Sequence, residues 1–134
     1  GGEVTACMYI CPNDLMKLDV ARMNDAARFF LGEHDWTAFA SAKSDGESRV
    51  RNITDFIVES HWERNADAQI IEFRITAKGF LRYMVRSIVG TLIEVGRGEK
   101  TSDTIQTAIV TGDRNLAGKT ALAQGLTLLK VEYD

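Results

Sequence analysis

Apolar residues recur at helical spacing in three stretches of the chain. The first spans residues 18–31, with Asp19 at an N-cap position, and the third spans residues 101–110, with Ser102 as its expected N-cap. The second and strongest spans residues 80–95, where apolar side chains step by three or four and line one helical face. That face comprises Leu81, Val85, Ile88, Leu92 and Val95. A glycine closely follows each stretch, so the sequence predicts three amphipathic helices.

Alternation of apolar and polar residues predicts strands elsewhere. Residues 70–76 alternate most clearly, and residues 53–62 alternate less regularly. Asn65-Ala66-Asp67 lies between these two runs and suits a hairpin turn. Residues 126–133 form a third β-type run, and residues 4–10 are a weaker additional candidate. The sequence therefore predicts a hairpin followed much later by a C-terminal strand.

Two shorter segments complete the expected organisation. A short helix or turn is expected at residues 35–39, where Trp36 and Phe39 stand three apart, and a polar loop is expected at residues 42–48. Because helices and strands do not alternate regularly, the predicted fold class is α+β. We expect an antiparallel sheet of about four strands, covered on one face by the helix at residues 80–95 and its neighbours.

Composition narrows the class of protein. The 134 residues suit one domain, and 45% apolar with 26% charged residues is typical of a globular chain. The 16 basic and 19 acidic residues give a net charge of -3, which excludes a strongly basic nucleic-acid binder but leaves room for a local basic patch. No apolar run approaches the roughly 20 residues that span a bilayer, and no signal peptide is visible. We therefore expect a cytoplasmic protein without a membrane segment.

Residues with obvious catalytic or metal-binding chemistry are few. Cys7 and Cys11 are too few for a disulfide scaffold, and the two histidines are too distant for a zinc site, so free thiols are expected. A metal or redox pair of these cysteines is the alternative. Single carboxylates such as Asp35, Asp45 and Asp113 have no spacing that distinguishes them from capping and turn residues. The pattern alone therefore assigns no catalytic group.

The basic side chains of residues 78–97 are the most suggestive charged pattern. Arg82 and Arg86 are four residues apart on the predicted helix, Arg97 returns to nearly the same azimuth three turns later, and Lys78 precedes them. Such a stripe is either a solvated face or a surface that contacts phosphates or a carboxylate. Residues 112–120 superficially resemble a phosphate-binding loop, but five residues separate the glycines where that motif has four.

Four segments in order resemble the tRNA pseudouridine synthase A family. Residues 80–98, FLRYMVRSIVGTLIEVGRG, look like its signature helix, and residues 31–39, LGEHDWTAF, resemble its G-x-H-D-F-x-x-F segment. Arg51-Asn-Ile53 resembles the Arg-x-Ile that opens its next strand, and residues 113–126, DRNLAGKTALAQGL, resemble its D-R-x-x-A-G-x-T-A-P-A-x-G-L. The resemblance covers roughly residues 18–134, which is nearly the whole chain.

The resemblance implies that the chain is one half of a two-domain pseudouridine synthase fold. Residues 1–134 would form the C-terminal domain, because the family's G-R-T-D-x-G-V-H segment, with its catalytic aspartate, is absent from this sequence. The implied parent enzyme is an isomerase that makes pseudouridine in the anticodon arm of tRNA, as a homodimer and without cofactor or metal. The isolated chain would lack catalysis. A stand-alone RNA-binding or assembly module that kept the fold is the alternative.

The resemblance also implies roles for particular residues. Arg86 matches the arginine that pairs with the catalytic aspartate, and Leu126 matches the leucine that packs beneath the flipped uracil. Four further cations, assigned by charge and position, are expected to contact tRNA phosphates: Lys78, Arg82, Arg97 and Arg51. Four positions depart from the family pattern, with Tyr83 in place of His or Asn, Leu122 in place of Pro, Thr127 in place of an aromatic residue, and Trp36 in place of Phe.

Overall fold

A computed structural model describes residues 2–12, 17–42, 48–65 and 67–118, together with the backbone of residues 126–133. The strands are β1 (Val4–Pro12), β2 (Gly32–Asp35), β3 (Val50–Glu63), β4 (Ala68–Ala77) and β5 (Leu126–Tyr133). The helices are α1 (Val20–Ala27), α2 (Met84–Gly96) and α3 (Ser102–Thr111), with single 3₁₀ turns at Arg28–Phe30, Thr37–Phe39 and Arg114–Leu116. Most of the loop predicted at residues 42–48, with Asp45, lies outside the described residues, as does Leu122.

The strands form one antiparallel sheet in the order β2-β3-β4-β1-β5. The predicted hairpin is confirmed as β3 and β4, and the weak candidate at residues 4–10 is β1, which lies between β4 and β5. The predicted α+β class and antiparallel sheet are therefore confirmed. Among the described strands, the sequence pattern does not predict β2, because its residues Gly-Glu-His-Asp carry no apolar side chain to alternate.

The core lies on one face of this sheet. Alternate residues of β1 and β4 are buried there: Ala6, Met8, Ile10, Ile71, Phe73 and Ile75. They form one buried cluster with the apolar sides of the three helices and with Phe30, Trp36 and Phe39, whose ring centroids lie 5.3–6.0 Å apart. The opposite face of β1 and β4 carries half-buried and mainly polar residues, such as Thr5 and Arg74. The two faces of the sheet are thus chemically distinct.

Helix α2 begins four residues later than its apolar pattern predicts. Tyr83 has φ 65° and ψ 0°, a left-handed conformation that cannot continue an α-helix, so the helix starts at Met84. The predicted apolar face is nevertheless correct from Val85 onward, and Leu81 is buried although it precedes the helix. Arg82 consequently lies in the turn before α2. The prediction that Arg82 shares a helical stripe with Arg86 is wrong.

The other helix ends follow the sequence signals more closely. Asp19 caps α1 as predicted, since its Oδ1 accepts a hydrogen bond from the N–H of Arg22 at 3.0 Å. In α3 the N-cap is Thr101, one residue before the expected Ser102, and its side chain makes no capping hydrogen bond. Gly112 ends α3 with φ 70°, a backbone conformation that glycine adopts without steric strain.

Cys7 and Cys11 lie on β1 and are not joined by a disulfide bond. Within the described residues, no group of three or more His, Cys, Asp or Glu side chains is arranged to hold a metal ion. In the same part of the chain, no helix has the length and apolar character needed to cross a membrane.

Candidate functional site

A cavity opens where the chain turns from β4 into α2. It has a volume of about 600 Å³ and is lined by Val4 and residues 79–86; we call it the start cavity. The lining contains two arginines, Arg82 and Arg86, and no carboxylate from the described residues. Because the N-terminus of a helix also carries partial positive charge, the start cavity is suited to a negatively charged group.

The backbone at the start cavity is held by hydrogen bonds on three sides. The N–H of Met84 donates to the carbonyl of Leu81 at 3.1 Å, and the N–H of Ser87 donates to the carbonyl of Tyr83 at 2.9 Å. The N–H of Ser41 donates to the carbonyl of Arg82 at 3.1 Å and ties the turn to the segment after the Thr37–Phe39 turn. These three hydrogen bonds hold the backbone of Tyr83 and of its two neighbours, so the left-handed conformation belongs to an ordered turn.

Arg86 is half-buried in the first turn of α2 and lines the start cavity. Arg82 also lines the start cavity but is exposed. Lys78 is exposed as well, and it directly precedes Gly79, the first residue after β4 that lines the cavity. The structure therefore places three of the predicted cations within one short stretch around the cavity.

Arg51 reaches the same place from another strand. Pairing of Ile53 with Ala77 in the β3–β4 ladder brings Arg51 alongside Gly79, and a Cβ on Gly79 would lie 3.8 Å from Nε of Arg51. Its Nη1 donates to the carbonyl oxygens of Ser48 and Val50 at 2.7 and 2.8 Å. The backbone is also anchored, because Nε1 of Trp36 donates to the carbonyl of Arg51 at 2.8 Å.

Arg97 is not brought to the start cavity. It is the C-cap residue of α2, eleven residues after Arg86, which corresponds to about 16 Å along the helix axis. Its Nη2 lies 3.0 Å from Oε1 of Glu99 in an ion pair. Its predicted contact with RNA stays a prediction, separate from the cluster formed by the other four cations.

Leu126 is likewise distant from the start cavity along the sheet. It is the first residue of β5 and pairs with Pro12, whereas Val4 of the cavity lining is eight residues earlier on β1. At the rise of a strand, that separation is about 26 Å. The side chain of Leu126 lies outside the described part of the structure, so its predicted role stays untested.

A second, smaller cavity adjoins the start cavity and shares Tyr83 with it. It has a volume of about 240 Å³ and is lined by residues 38–41 and 117–118 together with Tyr83, Ser87 and Arg114; we call it the loop cavity. Nε of Arg114 donates to the carbonyl of Ala40 at 3.1 Å, which joins two loops that are 74 residues apart in sequence.

The same loop is fastened to α2 from the other side. The N–H of Gly118 donates to Oγ1 of Thr91 at 2.7 Å, and that hydroxyl donates to the carbonyl of Ser87 at 2.8 Å. A Cβ on Gly118 would lie 2.8 Å from the carbonyl oxygen of Gly90, so the two backbones approach closely. The sequence pattern does not indicate these roles of Thr91 and Arg114, since the contacts join residues far apart in sequence.

All four segments that carry the resemblance thus converge on the two cavities. Residues 31–39 reach the loop cavity through Ala38 and Phe39, and the Arg-x-Ile segment reaches Gly79 of the start cavity through Arg51. Residues 80–98 line the cavities with the turn before α2 and its first residues. The described part of residues 113–126 contributes Arg114 and Gly118 to the lining of the loop cavity. Separate sequence motifs that meet in space around a cationic cavity indicate a shared binding site.

Comparison with known proteins finds a family that matches most of the chain. A family model described as tRNA pseudouridine synthase matches residues 26–134. A protein of Geobacillus kaustophilus named tRNA pseudouridine synthase A is 44% identical over 126 residues, covering 94% of this chain and 46% of the relative. Its namesake in Bacillus subtilis is 40% identical over 118 residues, covering 88% of this chain and 45% of the relative. The chain therefore spans about half the length of these curated relatives.

Proposed function

Because the chain belongs to the tRNA pseudouridine synthase family, we propose that it is the C-terminal half of a tRNA-uridine isomerase. The parent enzyme converts uridine to pseudouridine in the anticodon arm of tRNA. The observation that carries the proposal is the start cavity, where Arg86 lies in the first turn of α2 at the meeting point of the motif segments. The chain's share of the relatives' length supports its assignment as one half.

The reaction determines what this half must contribute. The bond between N1 of uracil and C1′ of ribose breaks, the uracil turns, and C5 bonds to C1′ while C5 loses a proton and N1 gains one. A carboxylate from the other half acts as nucleophile or base and must be ionised. The guanidinium of Arg86 and the N-terminus of α2 favour the ionised form of a carboxylate placed in the start cavity.

The target uridine must also be held outside the stacked bases of the RNA. A uridine within stacked RNA is reached only after it leaves the stack, and backbone contacts dominate recognition of folded RNA. Lys78, Arg82 and Arg51 surround the start cavity and would contact phosphates on either side of the extruded uridine. The sequence motif assigns Leu126 to the apolar floor under the uracil; because Leu126 lies at the opposite end of β1 from the start cavity, this role is proposed separately from the cavity and rests on the motif alone.

Tritium release from tRNA that carries 5-tritiated uridine tests the proposal. The chain alone is expected to release no tritium. Tritium release is expected when a matching N-terminal half is added as a second chain or is part of the same polypeptide. Release by the chain alone would contradict the division of labour, because one of its own carboxylates would then perform the chemistry. If the assembled halves instead bind tRNA and release no tritium while a full-length control is active, that result would favour the RNA-binding module.

A pair of variants tests the role of Arg86 in the complete enzyme. Arg86→Ala is expected to lower tritium release by at least about a hundredfold, the scale of losing one electrostatic stabiliser in an active site. The matched control is Arg64→Ala, since Arg64 is exposed in the turn between β3 and β4, away from both cavities. Near-normal release by the Arg86 variant would overturn its assignment.

The homodimer is a proposal that rests on the resemblance, and the cytoplasmic location is a proposal that rests on the sequence pattern. Sedimentation of the complete protein tests the first, and cell fractionation tests the second.

A further inference from the structure

Tyr83 is an exposed aromatic residue at an unusual backbone position. Its φ of 65° lies in the left-handed region, which is unfavourable for a residue with a bulky side chain and easier for glycine or asparagine. About half of its surface is exposed, at 50%, so burial of the ring does not explain the conformation. A strained residue that is not required by the core points to a functional constraint.

The surrounding hydrogen bonds fix the direction in which this residue points. Its carbonyl accepts the first hydrogen bond of α2 from Ser87, while its neighbours Arg82 and Met84 are bonded to Ser41 and Leu81. With backbone bonds on both sides of Tyr83, its Cα–Cβ direction is set by the turn. The side chain therefore leaves the backbone in a defined direction at the surface.

The ring stands between the two cavities. Tyr83 lines both the start cavity and the loop cavity, and it is the described residue that the two linings share. The guanidinium of Arg82 lies over the ring, with Cζ 5.1 Å from its centroid. A cation that covers one face leaves an aromatic surface for a second planar group and supplies positive charge beside it.

We propose that Tyr83 is a stacking platform for the RNA base that adjoins the target uridine. This inference rests on the proposed function. When a uridine is extruded into the start cavity, its neighbour loses a stacking partner, and an aromatic ring restores part of the lost stacking. Tyr83 borders the start cavity, and Arg82 beside it is suited to the phosphate that links the two nucleotides.

Binding of a labelled RNA to the chain tests the platform directly. The probe is an anticodon stem–loop RNA with 2-aminopurine next to a loop uridine, because stacking quenches the fluorescence of this base. Wild-type chain is expected to bind and quench the probe. Tyr83→Leu removes the ring and is expected to weaken binding by roughly ten- to a hundredfold, the range for loss of one base–aromatic stack, and to abolish quenching.

Three further variants separate stacking from a structural role. Tyr83→Phe keeps the ring and should rescue both binding and quenching. Tyr83→Asn suits the left-handed backbone and should raise the temperature of unfolding while losing affinity, a combination that a purely structural residue would not produce. Trp62→Leu removes another exposed aromatic, 61% accessible near the end of β3, and should leave binding unchanged.

Wild-type affinity and quenching in the Leu and Asn variants would overturn the platform. Failure of the wild-type chain to bind the probe would also overturn it. The proposed function is judged separately by tritium release from the complete enzyme, which does not depend on binding by this chain alone. An active complete enzyme with unaffected Tyr83 variants would thus refute the platform and leave the isomerase intact.

Discussion

At the scale of single residues, Asp35 shows how one carboxylate organises a turn beside the site. Its side chain accepts hydrogen bonds from the hydroxyl and from the N–H of Thr37, at the start of the turn that leads to the loop cavity. The hydroxyl contributes most, the N–H next, and nearby Arg49 adds a smaller effect, so the pKa of Asp35 lies below its ordinary value of 3.8 despite some burial. The ionised form therefore stabilises the fold.

Asp35→Ala is expected to lower the free energy of unfolding by about 1 kcal/mol at neutral pH, the usual net contribution of an intramolecular hydrogen bond. Since the folded pKa is lowered, this stabilisation is present above pH 3.8 and is lost as the pH falls through the folded value. Urea unfolding at neutral pH and below pH 3 measures the difference between wild type and variant. A difference that is equal at both pH values would contradict the assignment, and exposed Asp55→Ala is the control.

Gly118 is a residue whose lack of a side chain is required by packing. A Cβ there would lie 2.7 Å from Cα of Thr91 and 2.8 Å from the carbonyl oxygen of Gly90, and it would overlap the Glu94 carboxylate. Gly118→Ala should lower the free energy of unfolding by about 1–3 kcal/mol, because helix backbone cannot move aside.

The matched control is Gly79→Ala, whose Cβ would meet nothing closer than Nε of Arg51 at 3.8 Å, an ordinary contact. Thermal unfolding of the two variants provides the comparison. Equal unfolding temperatures would show that the loop does not pack on α2 in this way.

At the scale of elements, α2 serves the core and the site with different faces. Ile88 is buried in the core and lines neither cavity, and Val85 is buried in the core at the edge of the start cavity. Arg86 and Ser87 line the cavities, and Thr91 holds the loop. Substitutions on the two faces should therefore affect stability and activity separately.

Val85→Asp is expected to lower the free energy of unfolding by about 3 kcal/mol or more, because it buries an unpaired charge where Val85 is 3% exposed. The control is Val110→Asp on α3, where the valine is 84% exposed and the change should be within about 0.5 kcal/mol. Circular dichroism during urea titration measures both. Full stability of the Val85 variant would mean that this face of α2 does not pack in the core.

At the scale of the whole molecule, charge is unevenly distributed. The chain carries a net charge of -3, yet Lys78, Arg82, Arg86 and Arg51 surround the start cavity. The end of the β3–β4 hairpin carries mixed charge, with Arg64 and Arg74 among four acidic residues, two of which pair with Arg74: Glu59, Glu63, Asp67 and Glu72. A low overall charge is therefore compatible with one local surface for RNA.

The salt dependence of tRNA binding should show whether the cations around the start cavity contact phosphates. Three phosphate contacts, from Lys78, Arg82 and Arg51, predict that the logarithm of the affinity falls with the logarithm of the salt concentration at a slope of roughly −2 to −3. Lys78→Ala should reduce the magnitude of that slope by roughly 1. Arg97→Ala should leave it unchanged if the start cavity is the binding surface, whereas a reduction would support the sequence-based assignment of Arg97. Fluorescence anisotropy between about 50 and 200 mM salt measures the slopes.

The sequence by itself predicted what depends on neighbours along the chain. Alternation marked the buried face of β4, helical spacing marked the buried side of α2, and Asp19 marked the start of α1, because each signal arises within a few residues. The motif segments also carried the family, which the comparisons support.

Only the tertiary structure decided how distant segments meet. The inner position of β1, the left-handed Tyr83 that delays α2, and the approach of Arg51 to Gly79 depend on partners far away in sequence. The separation of Arg97 from Arg86 follows from the length of the helix between them. Periodicity reports which side of an element is buried, but contacts between elements are set by packing and long-range hydrogen bonds. The candidate site is built from such contacts.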